Sequence, residues 1–136
     1  MSIRVLIADD HPDVRRGLVQ SLRLEADMEV VGEAEDGDDA VRLTKELGPD
    51  IVIMDIEMPC LNGIEATRQI SADCPGVRVV GLSFHASRLH VEGMLKAGAY
   101  AYVLKDDEFE ELVKAVRAVC NGDTYLSARA DSTPES

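Results

Sequence analysis

Four charged side chains in this sequence stand where a short apolar run ends. Asp9 and Asp10 directly follow the first run, Asp55 closes a second, and Lys105 follows a third. In an open parallel α/β sheet the carboxyl ends of the strands border the ligand crevice, so these side chains are expected to converge. Three neighbouring carboxylates repel one another, and a divalent cation with one ammonium group relieves that repulsion. The pattern indicates a site for phosphoryl chemistry.

Each residue type suits a definite part of that chemistry. Asp10 and Asp55 can supply oxygen ligands to Mg²⁺, Asp9 can hold a metal-bound water, and a backbone carbonyl just past Asp55 can complete the set. An ionised Asp55 can attack phosphorus and form an acyl phosphate. Lys105 can neutralise a phosphoryl oxygen, and Ser83 can donate a hydrogen bond to it. Taken singly, these residues could instead be helix-start acids, a turn cap, a surface lysine and a loop serine; their combination favours the site.

The elements that must position these residues follow from the hydrophobic pattern. Short β-branched runs alternate with amphipathic stretches of helical period, as expected for strands and helices in turn. Strands are predicted near 3–8, 29–34, 50–54, 78–82 and 101–104, and helices near 12–26, 39–47, 64–74, 86–97 and 107–121. Five strands alternating with five helices predict an α/β fold with a doubly wound, five-stranded parallel sheet.

Composition narrows the functional classes. The 136 residues are 46% hydrophobic and 29% charged, as expected for one globular domain. The net charge of −12 argues against nucleic-acid binding by this domain. Cys60, Cys74 and Cys120 show no metal-binding spacing and are interpreted as reduced thiols. No apolar run approaches the roughly 20 residues of a membrane span, and the N-terminus lacks signal-peptide character, so a cytoplasmic location without membrane contact is expected.

Two other classes of protein deserve comparison. A phosphatase of the haloacid-dehalogenase type also uses a strand-end Asp with Mg²⁺ and a second acid two residues later, which Asp55 and Glu57 superficially offer. Its nucleophile, however, follows the first strand, and this chain leaves little room for a substrate cap. A nucleotide- or flavin-binding module needs a Gly-rich phosphate loop after the first strand, where this chain has Asp9-Asp10-His11-Pro12.

In order along the chain stand an acidic pair, a mid-chain Asp with Met-Pro three residues on, a Ser, an aromatic residue and a Lys. In that combination the sequence resembles the receiver domain of the two-component response regulators over almost its whole length. The resemblance implies a flavodoxin-like receiver fold. It also implies a phosphoacceptor signalling domain rather than an enzyme, one that catalyses only its own phosphorylation and dephosphorylation with a sensor histidine kinase as partner.

The resemblance also assigns residue roles. Asp55 is the phosphoacceptor, carried as 4-aspartylphosphate, Asp9 and Asp10 bind Mg²⁺ or Mn²⁺, and Lys105 contacts the phosphoryl group. Ser83 and Tyr102 form a coupled switch pair. Phosphorylation is expected to draw Ser83 toward the phosphoryl oxygen and to let the Tyr102 ring turn inward, which reshapes the surface of the fourth helix, fifth strand and fifth helix.

Several segments resemble the subfamily with a LuxR-type helix-turn-helix output domain; they lie at 54–59, 62–68, 96–99 and 121–127. On this basis residues 1–126 are the receiver and 127–136 a linker or disordered tail. The resemblance favours a receiver excised from a longer protein over a stand-alone one. The protein is then expected to reach DNA through an output domain absent from this chain, and to form a phosphorylation-dependent homodimer.

The sequence departs from the family pattern at two positions. Cys60 stands where the family usually has Gly, which is expected to stiffen the loop after Asp55. Asp106 follows Lys105 where many receivers have Pro. The family's cis peptide at that junction is expected to survive, although without proline it costs roughly 3–4 kcal/mol.

Two further residues are predicted to modulate the lifetime of the phosphoryl group. Glu57 lies two residues after Asp55, and His85 lies two residues after Ser83, so both are expected to flank the path of an attacking water. The Glu57 carboxylate would repel the phosphoryl group, and its backbone carbonyl is the predicted protein ligand of the metal. His85 would orient water or pair with Glu57. An interpretation of both as solvated loop side chains remains equally open.

Overall fold

A single parallel sheet organises the chain. The computed structural model describes residues 2–58, 61–84, 87–107 and 109–127. Its strands are β1 (Ile3–Ala8), β2 (Met28–Ala34), β3 (Ile51–Asp55), β4 (Arg78–Ser83), β5 (Ala101–Leu104) and β6 (Tyr125–Leu126). Its helices are α1 (Pro12–Arg23), α2 (Gly37–Leu47), α3 (Gly63–Asp73), α4 (Arg88–Ala97) and α5 (Phe109–Cys120). The strand order is β2-β1-β3-β4-β5-β6, and every neighbouring pair is parallel.

Both faces of the sheet are covered, which explains the continuously apolar strands. In β1, Leu6 and Ala8 join the core beneath one group of helices, whereas Val5 and Ile7 join the core on the opposite face. The first core receives buried side chains from α2, α3 and α4, and the second from α1 and α5. A strand buried on both sides has no polar alternation to show. The predicted doubly wound sheet is thus confirmed.

The sheet has one strand more than predicted. Tyr125 and Leu126 pair with Ala101 and Tyr102 at the β5 edge, so the sheet has six strands. Two residues are too few to show a hydrophobic period, and for that reason the sequence pattern missed them. The backbone N–H of Ser127, one residue beyond the predicted domain boundary, donates to the Tyr102 carbonyl at 3.1 Å. The rest of the predicted tail lies outside the described residues.

Helix ends match the predicted glycine stops. Gly48 and Gly98 follow α2 and α4 with φ of +58° and +115°, the left-handed conformation that glycine adopts without a steric cost. Helix α4 begins two residues later than predicted, because the Ser87 hydroxyl accepts from the Leu89 N–H and caps it there. None of the helices in the described ranges is long and apolar enough to span a membrane.

One backbone prediction is wrong. The described residues contain no cis peptide bond, so the junction of Lys105 and Asp106 is trans. The physical reason is that residue 106 is Asp. A cis peptide bond before a residue other than proline costs roughly 3–4 kcal/mol in peptides. Other backbone contacts set the position of Lys105.

Candidate functional site

The carboxyl ends of four adjacent strands carry the predicted site. Asp55 and Ser83 are the last residues of β3 and β4, and Asp9 and Lys105 follow β1 and β5 directly. The parallel registers hold these ends level, since Asp55 pairs with Leu82 of the neighbouring strand. All four side chains are buried despite their position at the sheet edge. The side chains predicted from strand ends thus lie together at one edge of the sheet.

Backbone contacts hold Lys105 in place. Its N–H donates to the Ser83 carbonyl at 2.8 Å, which ties the end of β5 to the end of β4. Just before it, the N–H of Leu104 donates to the Asp107 carboxylate at 3.0 Å, and the Asp107 N–H donates back to the Leu104 carbonyl at 3.0 Å. This closed turn directs the lysine side chain without a cis peptide.

The Asp55 carboxylate lies between an ammonium group and a backbone amide. Its Oδ2 lies 3.1 Å from Lys105 Nζ, and its Oδ1 accepts from the Glu57 N–H at 3.2 Å. The Asp55 side chain is only 1% exposed. Burial, and then the nearby charge of Asp9, raise the pKa of Asp55 to about 6, while Lys105 and the Glu57 amide act in the opposite direction. The carboxyl group is therefore largely ionised at neutral pH but at a cost in stability.

Asp9 shares the same ammonium group. Its Oδ2 lies 2.9 Å from Lys105 Nζ, and the lysine side chain is only 3% exposed. The Asp9 backbone is fixed from both sides, because its N–H donates to Ala34 at 3.1 Å and its carbonyl accepts from Arg15 at 2.7 Å. One lysine thus contacts both buried carboxylates, which leaves the cluster short of positive charge.

His11 joins the cluster, a role that the sequence analysis missed. Its Nδ1 lies 3.0 Å from Asp9 Oδ1, 3.2 Å from Asp10 Oδ1 and 3.8 Å from Asp55 Oδ2. The only signal in the sequence was its place directly after the acidic pair. His11 also precedes α1 at the N-cap position, and its side chain makes no capping hydrogen bond there.

The donor set fits a hard divalent cation. Asp9 Oδ2, Asp10 Oδ1 and Asp55 Oδ2 are buried and, apart from their ion-pair contacts with Lys105 and His11, accept no hydrogen bond among the described residues. Buried oxygens of this kind are costly unless a cation or donor satisfies them. Candidate ligand atoms of the three aspartates and His11 lie within 4.8 Å of one another.

Ser83 and Tyr102 are in contact, as the resemblance implies for a switch pair. The Ser83 hydroxyl donates to Glu57 Oε1 at 3.3 Å, and its hydrogen bond with the Tyr102 side chain acts to lower the tyrosine pKa. Burial outweighs this effect and raises the pKa of Tyr102 to about 12, so the phenol stays neutral. The Tyr102 ring is fully buried. The ring therefore already lies inside the fold in this structure.

Phe84 is a second neighbour of the site that the sequence analysis did not single out. Its ring centre lies 5.1 Å from Lys105 Nζ, within the range of a cation–π contact. The ring is nevertheless 55% exposed, so one face covers the ammonium and the other meets solvent. An aromatic residue one position past a strand end carried no signal in the sequence. The predicted modulator His85 and the substituted Cys60 lie outside the described residues.

Comparison with known proteins places the chain in a family. Residues 5–117 match the family described as the response regulator receiver domain, and the chain belongs to that family. Over 124 residues it is 41% identical to the transcriptional regulatory protein DegU of Brevibacillus brevis, which covers 91% of this chain and 52% of DegU. It is 40% identical to LiaR of Bacillus subtilis over 127 residues, 93% of this chain and 60% of LiaR. The chain thus spans between half and three-fifths of the length of these two relatives.

Solved structures agree with this assignment. A two-component response regulator of the LuxR family from Aurantimonas sp. SI85-9A1 superposes with a TM-score of 0.92 at 35% identity, covering 96% of this chain and 94% of that one. The isolated REC domain of RcsB from Salmonella enterica serovar Typhimurium, solved in the presence of the phosphomimetic BeF3−, gives 0.88 at 27% identity, with coverages of 96% and 97%.

The raised pKa of Asp55 predicts a stability gain on its neutralisation. The folded pKa of about 6 exceeds the ordinary value of 3.8, so ionisation opposes folding; the cost is absent below the lower value and complete above the higher one. In EDTA at about pH 7.5, Asp55→Asn should raise the free energy of unfolding by roughly 2–3 kcal/mol. Urea unfolding across pH measures this.

The gain should shrink as the pH falls from about 6 to about 4, because the wild-type carboxyl group becomes neutral. Asp123→Asn, at an exposed position after α5, is the control and should change stability little at any pH. A variant Asp55→Asn that is less stable than wild type at neutral pH, or a gain that is the same at all pH values, would contradict this electrostatic account.

Proposed function

We propose that the chain accepts a phosphoryl group on Asp55 from a sensor histidine kinase, with Mg²⁺ or Mn²⁺ bound beside it. The observation that carries this proposal is the geometry at Asp55, a buried carboxylate 3.1 Å from Lys105 Nζ at the shared edge of β1, β3 and β5. Such a carboxylate is ionised at neutral pH and has an ammonium group ready for the incoming charge. Catalysis by the chain is limited to its own phosphorylation and dephosphorylation.

The transfer step uses Asp55 of this chain as the nucleophile and a phosphohistidine of the kinase as the donor. An Asp55 carboxylate oxygen attacks phosphorus, an O–P bond forms and the N–P bond of the donor phosphohistidine breaks. The electron pair of the broken bond stays on the donor imidazole, which takes up a proton from solvent. Lys105 already contacts Asp55 Oδ2 and is placed to pair with a phosphoryl oxygen as the acyl phosphate forms. The Glu57 N–H holds the other carboxylate oxygen.

Asp10, Asp9 and Asp55 are the residues that would hold the cation, and the backbone carbonyl of Glu57 is proposed to complete the protein ligands. Their unsatisfied buried oxygens support this assignment. When bound, Mg²⁺ would offset the negative charge of the phosphoryl oxygens. Without the cation, the Lys105 ammonium alone would offset the negative charge of the aspartate carboxylates and the phosphoryl group.

Intact-mass measurement after incubation with acetyl phosphate and Mg²⁺ tests the assignment. The wild-type chain should gain the mass of one phosphoryl group, and Asp55→Asn should gain none, because the carboxylate at the end of β3 is the proposed nucleophile and an amide cannot form the acyl phosphate. EDTA should prevent labelling, and Asp123→Asn should be labelled like wild type. Labelling of Asp55→Asn, or full labelling in EDTA, would refute the proposal.

Ser83 is proposed to transmit the phosphorylation state. In the present structure its hydroxyl is engaged with Glu57 and Tyr102. A phosphoryl group on Asp55 would offer a stronger, charge-assisted acceptor, and Ser83 would leave Glu57 for it. Since Tyr102 is already inside, the change would pass through its hydrogen bond with Ser83 rather than through a new ring position. The surface proposed to respond is that of α4, β5 and α5; Tyr102 lies in β5 and shares its core with α4.

Glu57 is proposed to prolong the lifetime of the phosphoryl group. Its carboxylate is held 3.3 Å from Ser83 Oγ, beside the phosphoacceptor, and would repel an approaching anion or hydroxide. Glu57→Asn should therefore speed hydrolysis of the acyl phosphate about fivefold, which corresponds to roughly 1 kcal/mol of lost repulsion. Loss of phosphoryl mass over time, after removal of acetyl phosphate, gives the rate.

Glu46→Gln serves as the control, since it removes an exposed carboxylate in the last turn of α2, which leads into the start of β3 rather than its end, and should leave the rate unchanged. Equal hydrolysis rates for Glu57→Asn and wild type would leave Glu57 without this role. The proposed effect of His85, a loss of pH dependence near its usual pKa of about 6.5 in His85→Ala, is read from the same assay.

In the full-length protein, the receiver is proposed to control a DNA-binding output domain. DegU and LiaR are named as transcriptional regulatory proteins, and this chain matches only part of each. Phosphorylation-dependent homodimerisation and a cytoplasmic location belong to the same proposal. With a net charge of −12, this domain itself offers little to a DNA backbone.

A further inference from the structure

The His11 ring directs its Nδ1 toward the acidic cluster. Capping of helix α1 does not account for this orientation. His11 is the N-cap residue of α1, but its side chain makes no capping hydrogen bond. The N–H of its backbone already donates to Asp9 Oδ1 at 2.9 Å, so the turn is held without the imidazole. Nδ1 nevertheless lies 3.0 Å from Asp9 Oδ1 and 3.2 Å from Asp10 Oδ1.

These separations match the edges of a coordination shell. Two atoms bound to one cation at 2.0–2.2 Å lie about 3.0 Å apart at a right angle and about 3.4 Å apart at the tetrahedral angle. The Nδ1 distances to Asp9 and Asp10 fall in this range, and Asp55 Oδ2, at 3.8 Å, needs only a small shift. A cation can therefore bind the imidazole and the carboxylates together.

A second observation points to a ligand at the same place. Asp9 and Asp55 are each about 1% exposed, and each directs into the cluster an Oδ2 whose contacts among the described residues are ion pairs, with Lys105 and, for Asp55, also with His11. Lys105 contacts these two Oδ2 atoms and lies with its Nζ 3.5 Å from His11 Nδ1, whereas His11 contacts the Oδ1 atoms of Asp9 and Asp10. The imidazole and the ammonium thus approach the cluster mainly through different oxygens, and the His11 side is accessible because its ring is 51% exposed.

We propose that His11 makes this a mixed nitrogen–oxygen site that binds divalent transition cations, such as Ni²⁺, Co²⁺ and Zn²⁺, in place of Mg²⁺. Mg²⁺ prefers oxygen ligands alone, and the carboxylates supply them without His11. Imidazole nitrogen suits the transition cations and adds to their affinity specifically. The inference rests on the proposed function only in that both place a cation among the same aspartates.

Calorimetric titration of the reduced chain with Ni²⁺ and separately with Mg²⁺ tests the proposal. His11→Ala should weaken Ni²⁺ binding about tenfold or more, and should change Mg²⁺ binding far less. His11→Asn should weaken Ni²⁺ binding as much as His11→Ala does. Because Asn is a favoured N-cap residue, this variant shows that the loss is not caused by poor folding of α1. Mg²⁺ should compete with Ni²⁺ in wild type.

Two controls separate the possible outcomes. His90→Gln on α4 removes a histidine outside the cluster and should leave both affinities unchanged, whereas Asp10→Asn should weaken both. Ni²⁺ binding that does not depend on His11, or an equal loss of both metals in both His11 variants, would overturn the proposal. If the wild type binds Ni²⁺ but not Mg²⁺, and the His11 variants lose the Ni²⁺ binding, the proposed magnesium function fails while this inference stands.

Discussion

Repulsion among buried carboxylates at one edge of the sheet is the constraint on which the site depends. The parallel strands place Asp9 and Asp55 side by side, and Asp10 lies next to them at the rim. At an effective dielectric constant near 20, two like charges 4 Å apart cost about 4 kcal/mol. Lys105 offsets part of that cost for both buried carboxylates, yet burial, and then the charge of Asp9, still raise the pKa of Asp55. The site stores negative charge that a cation can neutralise.

The same constraint explains why the scaffold is built as it is. The end of β5 is tied to β4 through Lys105 and Ser83, which fixes the backbone from which the Lys105 side chain reaches the carboxylates. Gly63, at the start of α3, lies so close to the β3 end that a Cβ there would approach the Asp55 carbonyl to 2.2 Å. Close packing behind Asp55 thus holds the acceptor from one side while Lys105 holds it from the other.

Much of this could be predicted from the sequence, for physical reasons that apply to particular residues. The β1 and β3 runs are apolar on both faces, which predicts buried parallel strands. Glycines after α2 and α4 mark helix ends locally, so the elements and their order could be predicted. The convergence of Asp9, Asp55 and Lys105 followed from strand ends alone. Strand β6 was not predicted because two residues are too few to show a hydrophobic period. The predicted cis bond was wrong because it was carried over from family members that have proline at a position where this chain has Asp106.

The parts of the site that could not be predicted are side-chain directions. His11 turns toward the aspartates and Phe84 lies over Lys105, and neither orientation is encoded by residue type or spacing. The Tyr102 ring is already buried and shares a hydrogen bond with Ser83, which the sequence pattern did not predict. These directions depend on backbone angles in short loops, where sequence patterns carry the least information.

The electrostatic coupling between Asp55 and Lys105 is the central claim, and a double-mutant cycle in metal-free protein measures it directly. At about pH 7.5, Lys105→Met should destabilise the wild-type chain by roughly 3 kcal/mol, because two buried carboxylates lose their cation. In the Asp55→Asn background the same change should cost at least about 1 kcal/mol less. Equal costs of Lys105→Met in the two backgrounds would contradict the account.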